Sequence, residues 1–277
     1  MTEHADGKLA GAGERKLHWQ SWIGPDTSRG VIVLVHGLHE HSGRYEWVGT
    51  RLAEAGFAVY AIDHAGHGRS EGPRGQIGRM SEVVAGVDAL LALAAGRHPG
   101  FAPFIVAHSM GSLITLDYLV GNPQELRGVV LSAPPLVQDV ASPLLLKVAK
   151  VLSVVAPNAP TVELDSETVS RDPAIVEYHR TNPLMVKGKI RARTGAEFID
   201  AVDRVTAGLA KVTQPILVIA GSADKLVKPE GAEIVVEGAG STDKTLKIYD
   251  GLYHEVFNEP EKEAVIADVI AWLQEHS

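Results

Sequence analysis

Six short strand-like runs punctuate the chain: Val31–Val35, Phe57–Ile62, Pro103–Ala107, Gly128–Ser132, Pro215–Ala220 and Thr245–Tyr249. They constrain the fold more than any other feature. Each is too short for a helix. Val31–Val35, continuous, apolar and rich in β-branched residues, reads as a buried parallel strand. Helix-length stretches separate the runs, at roughly 45–55, 80–96, 110–121, 229–239 and 260–276. The last repeats Val265, Ile266, Val269, Ile270 and Leu273, which share one helical face. Lys16 to Trp22 alternates apolar and polar residues and reads as an antiparallel edge strand. Strands alternating with helices predict an α/β chain, its mostly parallel central sheet clothed by helices on both faces.

One interval breaks this rhythm. After Ser132-Ala-Pro-Pro135 the next strand-like run begins only at Pro215. A crossover helix needs about a dozen residues, so the interval holds more than a connection. The predicted organisation is a core of residues 1–135 and 196–277 with a cap inserted at 136–195, and 196–210 as the returning crossover helix. The apolar stretch 144–155 reads as cap core rather than a lipid-facing surface, because Lys147 and Lys150 suit the solvated edge of an amphipathic helix.

Composition narrows the function classes. At 277 residues and 45% hydrophobic, the chain buries a substantial core. Its formal net charge of −8 argues against a nucleic-acid partner. The absence of cysteine excludes disulfides, thiolate metal sites and a cysteine nucleophile. Met1 to Gly13 lacks the apolar core of a signal peptide, and no apolar run reaches the roughly 18 residues of a spanning helix. The expectation is a cytoplasmic protein. Oligomeric state is not legible.

The run ending at Ala107 leads into His108-Ser109-Met110-Gly111 and then a helix. That is the setting of a nucleophile elbow, Gly-x-Ser-x-Gly, with Ala107 in place of the first glycine. A serine on such a turn projects above the sheet, and the helix N-terminus behind it favours developing negative charge. The bland reading is a turn with a capping serine. Two further residues weigh against it. Asp224 follows the strand-like run 215–220, and His254 follows 245–249, so both fall on the same C-terminal rim of the sheet. The order Ser109, Asp224, His254 suits a triad in which His254 is the base and Asp224 orients it. Asp250 is a rival acid, but it lies too close in sequence to His254 to reach the far side of the ring comfortably. Backbone N–H groups of Leu38 and Met110 are the candidate oxyanion hole. His36, His39 and His41, with Asp63, His64 and His67, raise a metal reading. Their spacing fits no metal motif, and His254-Glu-Val-Phe-Asn258 has asparagine where the zinc-protease motif needs its second histidine. No metal and no cofactor are expected.

Together, His36-Gly-Leu-His-Glu-His-Ser-Gly-Arg-Tyr45, Asp63-His-Ala-Gly-His-Gly-Arg-Ser70, Ala107-His-Ser-Met-Gly111, Gly221-Ser-Ala-Asp224 and Tyr253-His-Glu-Val-Phe-Asn-Glu259 resemble the monoacylglycerol lipases, bacterial members most of all. The likeness spans about residues 15–275. It implies the α/β-hydrolase fold and cleavage of monoacylglycerol to glycerol and fatty acid through an acyl-enzyme. It also implies an apolar cap over an acyl tunnel and peripheral membrane contact. By the same resemblance Glu40 and Arg44 lie near the glycerol end of the substrate. Leu38-His39 departs from the usual pair of small residues and narrows the alcohol pocket. Lysophospholipase, short-chain carboxylesterase, thioesterase and aminopeptidase activities share the triad, as does a non-catalytic receptor on the same scaffold, and these remain open on sequence alone.

Overall fold

A computed structural model describes residues 2–121, 123–137 and 151–277. Among the described residues, β1 (Glu3–Ala10), β2 (Lys16–Ile23), β3 (Gly30–Val35), β4 (Phe57–Ile62), β5 (Phe104–His108), β6 (Gly128–Ser132), β7 (Ile216–Gly221) and β8 (Lys244–Tyr249) form one eight-stranded sheet with the order β1-β2-β4-β3-β5-β6-β7-β8. The six runs supply β3 to β8, which are mutually parallel. The continuous hydrophobicity of β3 is explained by its two faces. Val31, Val33 and Val35 join one buried cluster, and Ile32 and Leu34 join the other. Strand residues alternate faces, so a strand covered on both sides has no polar position to spare.

Helices fill those two layers. α1 (Glu46–Glu54) and α7 (Lys262–Glu275) send Val48, Leu52, Val265, Val269 and Leu273 into one cluster. α2 (Met80–Arg97), α3 (Met110–Val120) and α5 (Ala192–Gly208) send Val87, Leu90, Leu113, Leu116, Val202 and Val205 into the other. α4 (Pro173–Thr181) lies in the long interval before β7, and α6 (Glu230–Gly238) follows that strand. The start of α4 is written in the sequence: Pro173 occupies the first turn, and Asp172 caps it by accepting the Ala174 N–H at 2.8 Å.

The structure departs from the sequence reading at three places. The returning crossover helix, expected at 196–210, is α5, which starts at Ala192 inside the predicted cap. Lys16–Trp22 falls within β2 (Lys16–Ile23), which is antiparallel as expected but not an edge. It lies between β4 and an additional strand, β1 (Glu3–Ala10). Of the apolar stretch 144–155, residues 144–150 lie outside the described residues, while 151–155 are helical. There Val151, Val154 and Val155 are 62%, 69% and 73% exposed, so they are not core. Among the described residues no helix is long and apolar enough to cross a membrane.

Candidate active site

Ser109 sits between β5 and α3 with φ 53° and ψ −118°, a conformation side chains avoid. Such strain costs on the order of 1–3 kcal/mol and persists only where the surroundings impose it. Here they do. The Ser109 N–H donates to the Ser132 carbonyl of β6 at 2.8 Å, and the Ser109 carbonyl accepts the N–H groups of Ser112 and Leu113 in α3. The turn also demands a bare position two residues on. A Cβ on Gly111 would stand 2.1 Å from the Val35 carbonyl oxygen. Ala107 is tolerated where the motif usually has glycine, because it is an ordinary interior residue of β5, paired with Val35.

Two loops at the same rim deliver the remaining groups. Asp224 Oδ1 accepts the N–H groups of Leu226 at 2.8 Å and Val227 at 2.9 Å, which fixes the carboxylate's orientation. Its Oδ2 meets His254 Nδ1 at 2.7 Å, and His254 Nε2 meets Ser109 Oγ at 2.9 Å. The Asp224 side chain is fully buried. Asp250 accepts from Ser222 Oγ at 3.2 Å on the exposed surface, away from the imidazole. Burial alone would pull His254 down. The hydrogen bond and charge of Asp224, helped by Glu255 and Glu40, outweigh it and hold the imidazole above its usual pKa.

A second histidine, unforeseen from sequence, packs against this one. The ring centroids of His108 and His254 are 4.7 Å apart, and His108 Nδ1 bonds Ser132 Oγ at 3.1 Å. Burial drives His108 down to about 3, so it stays neutral beside the base.

The candidate amide donors lie on two elements. Met110 opens α3, where the first N–H groups have no helical partner. Leu38 follows β3 in a loop held on both sides of it. His36 Nε2 accepts the His64 N–H at 3.0 Å, which leaves Nδ1 to donate to the Gly37 carbonyl at 2.7 Å. The Gly37 N–H donates to Glu40 Oε1 at 2.5 Å. Beyond Leu38, His39 has φ 66° and its carbonyl accepts the Val186 N–H at 2.8 Å, joining this loop to the interval before β7.

Glu40 and Arg44 stand side by side, but only Glu40 borders the cavity above Ser109. Arg44 lies behind it. Its Nη1 donates to Glu40 Oε2 at 2.9 Å and to Glu255 Oε1 at 2.7 Å, and its Nη2 donates to Glu255 Oε2 at 2.6 Å. Glu255 is the other residue that sequence reasoning missed. The signal was an acid directly after the candidate base, but its partner is 211 positions away.

The cavity has a volume of about 400 Å³, within the range of small-ligand sites. Leu38, Pro135, Leu226 and Val227 border it from the sheet side. Leu164, Val169, Val186 and Ile190 come from the long interval before β7. The Asp63 cluster is architectural. Asp63 Oδ1 accepts the Ser42 N–H and Oδ2 the Arg69 N–H, each at 2.7 Å, tying two loops to the end of β4. Among the described residues no group of three or more histidines and acids is arranged to hold a metal ion.

Comparison with known proteins agrees with this architecture. The family model described as "Serine aminopeptidase, S33" matches residues 26–261. The chain is 41% identical to the monoacylglycerol lipase of Mycolicibacterium smegmatis, over 99% of this chain and 98% of that one. It is 34% identical to human monoglyceride lipase, over 97% of this chain and 90% of that one. Among solved structures, that of the Paleococcus ferrophilus monoacylglycerol lipase superposes with a TM-score of 0.83 at 32% identity and covers both chains fully.

Proposed function

We propose, from the premise that the chain belongs to the serine aminopeptidase S33 family of α/β-hydrolases, that it is a serine esterase converting monoacylglycerols to glycerol and fatty acid. The observation that carries the reading is the continuous relay from Asp224 through His254 to Ser109 Oγ, opening beneath a cavity of mostly apolar surface. Relatives named as monoacylglycerol and monoglyceride lipases at 41% and 34% identity support the substrate class.

In this reading His254 takes the proton of Ser109 as Oγ attacks the ester carbonyl. The oxyanion is stabilised by the N–H groups of Leu38 and Met110. His254 then donates the proton to the departing glycerol alkoxide, leaving the acyl group on Ser109. Water, deprotonated by the same imidazole, attacks the acyl-enzyme and releases the fatty acid. Asp224 holds Nδ1 protonated throughout and stabilises the imidazolium.

The described residues 151–191 act as a cap over the acyl chain, a role supported by Leu164, Val169, Val186 and Ile190 at the cavity wall. Val151, Val154, Val155 and Val162 give the cap an exposed apolar surface suited to peripheral contact with lipid.

The test is a hydrolysis panel of monoacylglycerol, diacylglycerol, lysophospholipid and p-nitrophenyl esters, run beside Ser109→Ala. The expected result is the highest kcat/KM on monoacylglycerol and no turnover by folded Ser109→Ala. Preference for lysophospholipid would replace the substrate. A single slow acylation without turnover would make the protein a receptor.

A further inference from the structure

We propose that Glu40, Arg44 and Glu255 are positioning residues that lock the amide-donor loop at Gly37–Leu38 to the loop carrying His254, so that the two parts of the reaction centre keep one fixed relation. The inference deepens the esterase reading and rests on it. It also gives Glu40 and Arg44 a different task from the grip on glycerol that the family resemblance implies.

The connection can be followed atom by atom. At one end Glu40 Oε1 accepts the Gly37 N–H at 2.5 Å and the Tyr45 hydroxyl at 2.9 Å. This sets the peptide plane immediately before the Leu38 N–H. At the other end Glu255 directly follows His254, and its Oε2 also accepts from Asn258 Nδ2 at 2.8 Å. Arg44 spans the two carboxylates with three bonds of 2.6 to 2.9 Å. A Cβ on Gly37 would stand 2.8 Å from Glu40 Oε1 and 3.3 Å from the Ser109 Cβ, so the bare backbone there lets loop, carboxylate and nucleophile close up.

Burial argues that this arrangement is not a stabilising device alone. The side chains of Glu40, Arg44 and Glu255 are 4%, 3% and 7% exposed. A buried ion cluster is often matched or bettered in stability by apolar residues of similar size. What an apolar cluster cannot do is fix the direction of a peptide N–H and the seat of an imidazole together. The Tyr178 ring of α4 lies 5.9 Å from the guanidinium, so the cap side also closes over it. Arg44 does not border the cavity, which leaves it no direct route to a bound alcohol.

The two roles separate on substrates with one acyl chain and different alcohols. Arg44→Met and Glu255→Gln in the full chain are assayed on 1-decanoylglycerol and on p-nitrophenyl decanoate, which carries no glycerol. Misplacing a reacting group by about 1 Å costs roughly 10²-fold. The expected result is therefore a kcat lower by about 10–100-fold on both esters, with KM changed little and the ratio between the esters preserved. The triple variant Glu40→Gln/Arg44→Met/Glu255→Leu adds a readout that a purely structural role would move differently. It leaves neither carboxylate buried without its cation, so its melting temperature should recover toward that of the unaltered enzyme while kcat stays low. A p-nitrophenyl ester rate within twofold of normal, with the glycerol ester rate reduced, would return the cluster to substrate contact. Recovery of kcat in step with melting temperature would reduce it to packing. Absence of turnover by the unaltered enzyme on either ester would remove the esterase reading itself, and this inference with it.

Discussion

Replacing Asp224 by asparagine exploits a constraint visible in the site. Oδ1 of Asp224 is held by two backbone N–H groups at 2.8 and 2.9 Å, while Oδ2 faces His254 Nδ1 at 2.7 Å. An asparagine oxygen must take the Oδ1 place. Its NH₂ then points at Nδ1, which becomes an acceptor, and the ring proton moves to Nε2. His254 would donate to Ser109 instead of accepting from it. Flipping the amide restores the tautomer but turns NH₂ toward two N–H donors, at about 1–3 kcal/mol for each unsatisfied group. The charge-assisted bond to the imidazolium, worth about 1.5–3 kcal/mol, is lost as well. Together these come to roughly 4–9 kcal/mol, or about 10³–10⁷ in rate. Triads altered in this way lose about 10⁴. The assay is the initial rate of p-nitrophenyl ester hydrolysis, with thermal melting to show that the fold persists. Asp250→Asn, at the exposed carboxylate, should stay within twofold. A loss below tenfold in well-folded Asp224→Asn, or a large loss in Asp250→Asn, would refute the assignment of the acid. The pH profile carries a sign as well. Asp224 raises His254 and the reaction needs the neutral imidazole, so the acid limb of kcat/KM should move to lower pH in the variant.

Two other expectations follow from the geometry. Gly111→Ala places a methyl 2.1 Å from the Val35 carbonyl, which neither β3 nor α3 can yield without repacking. The expected cost is about 3 kcal/mol or more, and an unchanged melting temperature would mean the elbow is looser than it looks. Acid should destabilise the fold, because burial holds His67 and His108 at about 3 against 6.5 when unfolded, and His36 and His64 also lie well below that value. Their contribution is complete above about pH 6.5 and is lost as pH falls toward 3, at about 2 kcal/mol each for His67 and His108 by pH 5. His254, raised in the folded state, works in the opposite direction but is a single group. Melting curves from pH 7.5 to 4.5 test the balance, and greater stability at pH 5 than at pH 7 would contradict it.

The central strands were legible because burial on both faces leaves an unmistakable apolar run, as in Val31–Val35. The serine, aspartate and histidine were legible because each follows such a run at the rim where parallel strands end. β1 was not. Its residues Glu3, His4, Asp6 and Lys8 carry no apolar signal, and it is held by antiparallel pairing to β2 through backbone hydrogen bonds that any sequence can make. The exposure of Val151, Val154 and Val155 was missed because helical spacing shows that a face is apolar, not what that face meets. Glu255 was overlooked for a related reason. A charge beside a histidine reads as solvated until the fold brings Arg44 against it.

β1 also changes what one of the sheet's two margins offers to another copy of this molecule. Without it, the outer margin of the sheet would be β2, whose Trp19 and Trp22 are buried and whose open N–H and C=O groups would invite another chain to extend the sheet. With it, that margin is a polar hem of mixed charge. A neighbour seeking to zip onto it would have to strip water from Glu3, Asp6 and Lys8 before gaining one bond, so the least hydrophobic strand in the molecule serves as its selvedge.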